Sequence, residues 1–243
     1  MPELIQTKTI GIIGYGKMGS ILASGLEGHC RILVHDIDPA KKEKAMTCGL
    51  RFAEDLLTLT EAEILFLVVG KKEAEETICA LSRIVNKPTL LVNVATDLVL
   101  DDVVSIVSNR FLHPVSIKII GEADAMSMGR YSLFVINAER TEDVATVGTL
   151  LLHLGSVITD DERRYCDINL IAAEEIMLAA GRICAKLYSK GLSREVVHTA
   201  VSSTSLGTLY QFPWKDMDYF HRRIFSKNKE LPAIIEGSKK LHD

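Results

Sequence analysis

Gly14, Gly16 and Gly19 stand in the order G-x-G-x-x-G, with Tyr15, Lys17 and Met18 between them. This spacing suits phosphates. The first glycine permits a tight turn, the second lets a pyrophosphate approach the backbone, and the third lets the following helix pack on the preceding strand. The run directly follows the apolar stretch 9–13 and opens a helical pattern over 17–28. A helix start there adds unpaired N–H groups and a positive dipole end. Lys17, in its first turn, is placed to lean on a phosphate. Asp36 lies twenty-two residues after Gly14, at the end of a second apolar stretch. A carboxylate at that place accepts the ribose hydroxyls of NAD. His35-Asp36-Ile37-Asp38 offers two acids and no Arg, and an acid repels a 2′-phosphate, so NAD is the expected cofactor. NADP remains possible through Lys41 or Lys42.

Further candidates sit where other apolar stretches end. Val69 closes the stretch 64–69, and Asn93 and Ala95 follow the stretch that starts at Thr89. These three should line the nicotinamide side, with Asn93 able to bond the carboxamide or the ribose. His113-Pro114 follows a short predicted strand over 110–112. The strand ends of an open α/β sheet face its ligand crevice, so His113 there could serve as acid or base or bind a carboxylate near neutral pH. The dipeptide is also similar to the HP of prephenate dehydrogenases. Glu174 and Glu175 lie in a helical run with apolar residues on both sides, seven or eight positions before Arg182. Glu174 is the candidate to face the nicotinamide and a substrate amine or imine. No His, Cys and acid spacing reads as a metal site. Cys166 and Cys184 read as core or interface residues.

These groups need a framework that brings strand ends together, and the first two thirds of the chain alternate strand and helix patterns. Strands are expected at 9–13, 31–35, 64–69, 89–93, 110–112, 131–137 and 156–159. Helices are expected at 17–28, 39–48, 72–84 and 141–154. Strands that are apolar on both faces imply a parallel sheet covered by helices. After Asp160 no strand-like stretch follows. Residues 161–190 form one long helical pattern broken only by Gly181, and 193–211 form another, with Ser193 as its N-cap. Two short helices separated by Pro232 are expected within 215–243. The fold class is therefore α/β, with a Rossmann dinucleotide-binding domain over 1–160 and an all-helical domain over 161–243.

The 243 residues are 47% apolar and 25% charged, with a net charge of −4. That composition excludes low-complexity disorder and gives no field to recruit nucleic acid or an anionic membrane. The longest unbroken apolar run, 64–69, is too short to span a bilayer, and residues 1–8 lack a signal pattern. Five cysteines without a CxxC pair point to a reducing compartment. A cytoplasmic protein is expected.

The stretch Ile10-Gly11-Ile12-Ile13-Gly14-Tyr15-Gly16-Lys17-Met18-Gly19 resembles the IGFIGxGNMG opening of pyrroline-5-carboxylate reductases. Ile64-Leu65-Phe66-Leu67-Val68-Val69 looks like the strand before that family's VKP. Leu152-His153-Leu154-Gly155-Ser156-Val157 is similar to its FxxxGxxxxV turn, and Lys190-Gly191-Leu192 and Gly207 to parts of its dimerisation domain. The resemblance implies a homodimer through the C-terminal helices. It weakens on the substrate side. VKP becomes Val69-Gly70-Lys71, MPNTP becomes Leu112-His113-Pro114-Val115-Ser116, and SGSGPAY aligns with Leu170-Ile171-Ala172-Ala173-Glu174-Glu175-Ile176. The late SPGGTT has no counterpart. Phe220-His221-Arg222-Arg223-Ile224-Phe225 resembles a divergent branch, the late-competence reductase-like proteins.

The expected function is an NAD(P)-dependent oxidoreductase that moves hydride to or from a small imino or keto acid. Reduction of pyrroline-5-carboxylate itself is not implied. The alternatives are a catalytically silent dinucleotide-binding regulatory protein and an enzyme resembling prephenate dehydrogenase.

Overall fold

The computed structural model describes residues 8–211 together with 224, 227 and 228. The expected helices within 215–243, almost all of Phe220–Phe225 and residues 1–7 lie outside them. The chain divides into two compact units, Met1–Leu170 and Ile171–Asp243. The division falls after Leu170 rather than at Asp160, because the turn following Asp160 is tied back to the sheet of the first unit.

The first unit is built on a sheet of eight strands: β1 (Thr9–Ile13), β2 (Arg31–His35), β3 (Arg51–Phe52), β4 (Ile64–Leu67), β5 (Thr89–Asn93), β6 (Leu112–Ile120), β7 (Ser132–Ala138) and β8 (Gly155–Thr159). Their order is β3-β2-β1-β4-β5-β6-β7-β8. All neighbours are parallel except β6 and β7. Between them run α1 (Lys17–Leu26), α2 (Pro39–Thr47), α3 (Leu56–Leu59), α4 (Lys71–Ile84), α5 (Leu100–Ile106), α6 (Ala123–Ser127) and α7 (Thr141–Leu151). Local chemistry starts several of these helices. Asp38 accepts the Ala40 N–H and Pro39 sits at the first position of α2, and Asp55 accepts the Thr58 N–H to open α3. Such caps satisfy N–H groups that the helix itself leaves unpaired.

Strand alternation divides the apolar residues between two layers. Ile10, Ile12, Phe66, Phe134 and Ile136 pack on one face of the sheet. Ile13, Leu33, Leu65, Leu67 and Leu91 pack on the other. A sheet buried on both faces explains why its strands read as continuous apolar runs.

The largest departure from expectation is β6. The predicted strand at 110–112 is instead the approach to a nine-residue strand that begins at Leu112. Pro114 and Lys118 disguise it. Pro114 is tolerated because it pairs with Leu91 of β5 before β7 joins at Val115, so its missing N–H interrupts no β7 ladder bond. The expected helix over 161–190 is also divided. A 3-10 turn, Glu162–Tyr165, precedes α8 (Ile168–Tyr188). Asn169, in the first turn of α8, donates from Nδ2 to the Ile119 carbonyl at 2.7 Å and accepts the Gly121 N–H at 3.1 Å.

The second unit continues α8 and adds α9 (Arg194–Thr199), a π-helical stretch (Ala200–Ser205) and α10 (Leu206–Gln211). Ser193 caps α9 through the Val196 N–H. α8 has no buried residue. Ile176, Ile183 and Leu187 of α8 line an apolar cavity of about 680 Å³ with Val201, Leu206 and Leu209.

Candidate functional site

The glycine loop joins β1 to α1 at the C-terminal edge of the sheet. Gly14 has φ +95°, and a Cβ there would run into the Val68 carbonyl. A Cβ on Gly19 would run into the Gly14 carbonyl. Gly16 differs from both, since a Cβ on it would meet nothing within 4 Å. The loop thus closes tightly at its first and third glycines and leaves open space over the second, where a pyrophosphate needs it. Gly16 is the N-cap of α1 and provides no side-chain cap, so the first-turn N–H groups stay available to an anion.

Asp36 stands beside this loop. Its Oδ2 accepts the Tyr15 N–H at 2.6 Å, and its Oδ1 accepts the Asp38 N–H at 2.9 Å. These bonds fix the carboxylate at the end of β2, where an adenosine ribose would lie. The Tyr15 side chain is buried, and burial pushes its hydroxyl up to about 12. It therefore stays neutral and serves packing. Lys17 is exposed and pairs with Asp124 at 2.7 Å, so in this structure it leans on α6 rather than on the open loop.

A cavity of about 300 Å³ adjoins the loop. Met18, Val68, Val69 and Ala95 supply apolar lining, and Thr96, Asp97, Lys118, Tyr165 and Cys166 supply polar groups. Val69 and Ala95 thus line the cavity just past the ends of β4 and β5. Asn93 does not. It is fully buried, its Nδ2 donates to the Leu98 carbonyl at 2.6 Å and to Ser116 Oγ, and its Oδ1 accepts the Ala95 N–H at 3.1 Å. Its polar atoms shape the turn after β5 and do not line the cavity.

His113 is also displaced from its expected place. It is the second residue of β6 and pairs with Leu90, near the start of parallel β5. That puts it at the N-terminal edge of the sheet, opposite the crevice, because the strand begins there instead of ending. Arg140 Nη1 donates to its Nδ1. The acid–base role expected of His113 at the crevice loses its basis with this placement. Glu174 belongs to the second unit and is exposed on α8. Among the described residues no group of His, Cys and acids is arranged to hold a metal ion, and no helix is long and apolar enough to cross a membrane.

Lys118 is the residue that sequence reasoning missed. Its Nζ donates to the Ala95 and Leu98 carbonyls at 2.7 and 2.8 Å, and it is only 4% exposed. Burial pulls its ammonium below the usual lysine range, opposed by the field of Cys166, Glu162, Asp97 and Asp102. Cys166 is pushed up, again by burial, with Lys118 pulling the other way. Buried Glu162 accepts the Leu100 N–H through Oε1, while its Oε2 has no hydrogen-bond partner among the described residues. The signal available was a lysine at an alternating position within Val115-Ser116-Ile117-Lys118-Ile119-Ile120.

Residues 9–107 match the family model of the NAD-binding domain of 6-phosphogluconate dehydrogenase. Among solved structures, a pyrroline-5-carboxylate reductase from Coxiella burnetii superposes with a TM-score of 0.70 at 18% identity, over 97% of this chain and 92% of that one. The Plasmodium falciparum pyrroline carboxylate reductase, solved with NADP bound, gives 0.69 at 16% identity, over 98% and 93%. The chain has the pyrroline-5-carboxylate reductase fold. A Mycobacterium tuberculosis 3-hydroxyisobutyrate dehydrogenase is similar over less of its length, with a TM-score of 0.64 at 14% identity over 81% of this chain and 71% of that one. No curated protein matches the chain in sequence. In this reductase fold the glycine loop, Asp36 and the cavity all lie on the first unit, at the C-terminal ends of β1, β2, β4 and β5.

Proposed function

We propose that the protein is a divergent relative of the pyrroline-5-carboxylate reductases, an NAD(P)-dependent oxidoreductase acting on the C=N or C=O carbon of a small acid. The observation that carries this reading is the contrast within the loop: space over Gly16 between two glycines that admit no side chain. When bound, the dinucleotide supplies the hydride. The chain's own residues bind and orient. The α1 N-terminus and the Gly16 backbone hold the pyrophosphate, Asp36 receives ribose hydroxyls, and Val69 and Ala95 flank the ring. Net reduction would add a hydride to carbon and a proton to nitrogen or oxygen.

Asp36 favours NAD over NADP, since a fixed carboxylate beside the ribose repels a 2′-phosphate. α8 has no buried residue, and Ile171, Ile176, Met177 and Leu178 are between 45 and 74% exposed. An apolar surface of that kind seeks a partner, which supports a homodimer through the helical unit. The five free cysteines fit a reducing, cytoplasmic setting.

The test is thermal stability with NAD⁺, NADH, NADP⁺ and NADPH added separately. A ligand at a hundredfold its Kd adds about 2.7 kcal/mol, so a raised Tm with the NAD pair is expected. No rise with any of the four would overturn the reading.

A further inference from the structure

The crevice holds one buried cation that dinucleotide binding leaves unused. An ammonium carries three donors, and the Ala95 and Leu98 carbonyls take two of those on Lys118. Two neutral carbonyls orient the group without neutralising it. Among the described residues Lys118 forms no ion pair. The buried acid Glu162, whose field reaches Lys118, gives Oε1 to the Leu100 N–H and makes no hydrogen bond through Oε2 to Lys118 or to any other described residue, and Asp97 is exposed. An unpaired buried cation is costly, and an arriving anion removes that cost.

The position fits a substrate group better than a cofactor phosphate. Ser116 pairs with Asn93, the last residue of β5, so Lys118 lies two residues farther along β6, about 7 Å at roughly 3.3 Å per residue. It overhangs the turn after β5 and lines the cavity beside Ala95 and Ile119. A phosphate binds best where several donors converge, whereas Lys118 has one donor left, no Arg lines the cavity, and the other lining lysine, Lys71, is exposed at the start of α4. One remaining donor on one buried cation matches a carboxylate. About 300 Å³ leaves little space beyond a nicotinamide ring and a few carbons.

We infer that Lys118 is a specificity-determining residue, receiving the carboxylate of a small oxo or imino acid whose carbon skeleton lies against Ala95 and Ile119. This rests on the oxidoreductase reading of the crevice.

The test uses the full chain and two unreactive probes, pyrrole-2-carboxylate and pyrrole-2-carboxamide. NADH is titrated first by calorimetry, and each probe is then titrated into the NADH-saturated protein. The wild type should bind the acid about tenfold or more tighter than the amide, as a charge-assisted hydrogen bond requires. Lys118→Gln keeps two N–H donors for the turn carbonyls and loses the charge. It should bind NADH as before and lose the preference for the acid. In the wild type, affinity for the acid should fall as rising pH deprotonates Lys118, while affinity for the amide stays flat. Equal binding of the two probes, no binding of the acid, or an intact preference in Lys118→Gln would overturn the inference and leave the dinucleotide reading standing. Absence of NADH binding would remove that reading and this inference with it. Should Lys118→Gln fail to fold, the acid-to-amide ratio in the wild type and its pH dependence decide alone.

Discussion

At one end of the crevice the backbone forms the site, and at the other end side chains do. Gly14, Gly16 and Gly19 act through what they lack, and one contiguous stretch supplies all three. The far end is assembled from β6, the turn after β5 and the segment entering α8: Lys118, Ala95, Leu98, Glu162 and Cys166. The first end offers amides and space, which suits any dinucleotide. The second offers one buried cation held by two carbonyls, which suits one anionic group. A fold can therefore keep its cofactor end and exchange its substrate end, since the glycines serve only the first and Lys118 only the second.

Gly14→Ala or Gly19→Ala should break the backbone end most severely. Each places a Cβ against a carbonyl, and Gly14 also has a positive φ. A loss of about 3 kcal/mol or more is expected, read from the denaturant midpoint; a loss below about 1 kcal/mol would mean that the loop relaxes freely.

Glu162→Ala tests the side-chain end. It leaves the buried Leu100 N–H unpaired and should cost about 1–3 kcal/mol of stability while NADH affinity holds. Equal losses of stability and NADH affinity would show that the two ends are not independent.

Gly16→Ala separates folding from binding. Stability should stay within about 0.5 kcal/mol, because the site around Gly16 is open, while NADH affinity falls by about tenfold or more. Asp36→Asn should shift the NADH-to-NADPH affinity ratio by about tenfold toward NADPH, measured by calorimetry with each cofactor.

The smallest effect is electrostatic. The folded state depresses the Lys118 pKa, so the unfolded chain binds the more protons between that lowered value and the ordinary lysine value. Stability then rises with pH across the window. The stability of wild type relative to Lys118→Met should increase toward alkaline pH, and a flat difference would mean that Lys118 titrates as an exposed lysine does.

The same contrast explains what could be read from the residues alone. The glycine loop was legible because strand, turn and helix are consecutive, and its spacing carries the chemistry. The strands on that side were legible as apolar runs such as Ile64–Leu67. β6 was obscured because Pro114 and Lys118 interrupt its apolar run, so its start passed for an end and His113 was assigned to the wrong edge. Asn93 stood at the expected strand end, but whether a strand-end side chain faces ligand or its own turn depends on partners such as Ser116 and Leu98. The Lys118 environment draws on residues 95, 98, 162 and 166, which no local pattern links. The helical unit was legible as helices, yet the π-helical stretch Ala200–Ser205 gave no signal that we can identify.

The nine residues of β6 carry a consequence for how such a protein changes over generations. Val115, Ile117 and Ile119 pack with the apolar layer on one face of the sheet, while Ser116 and Lys118 occupy the alternate positions. Side chains along a strand alternate strictly, so a one-residue slip would bring an isoleucine to the place of the ammonium and drive the lysine into packed hydrocarbon. A point substitution at 116 or 118 disturbs no residue of that layer. The strand therefore lets ligand preference drift by single exchanges on one face, while the other face penalises any insertion that would move the whole register.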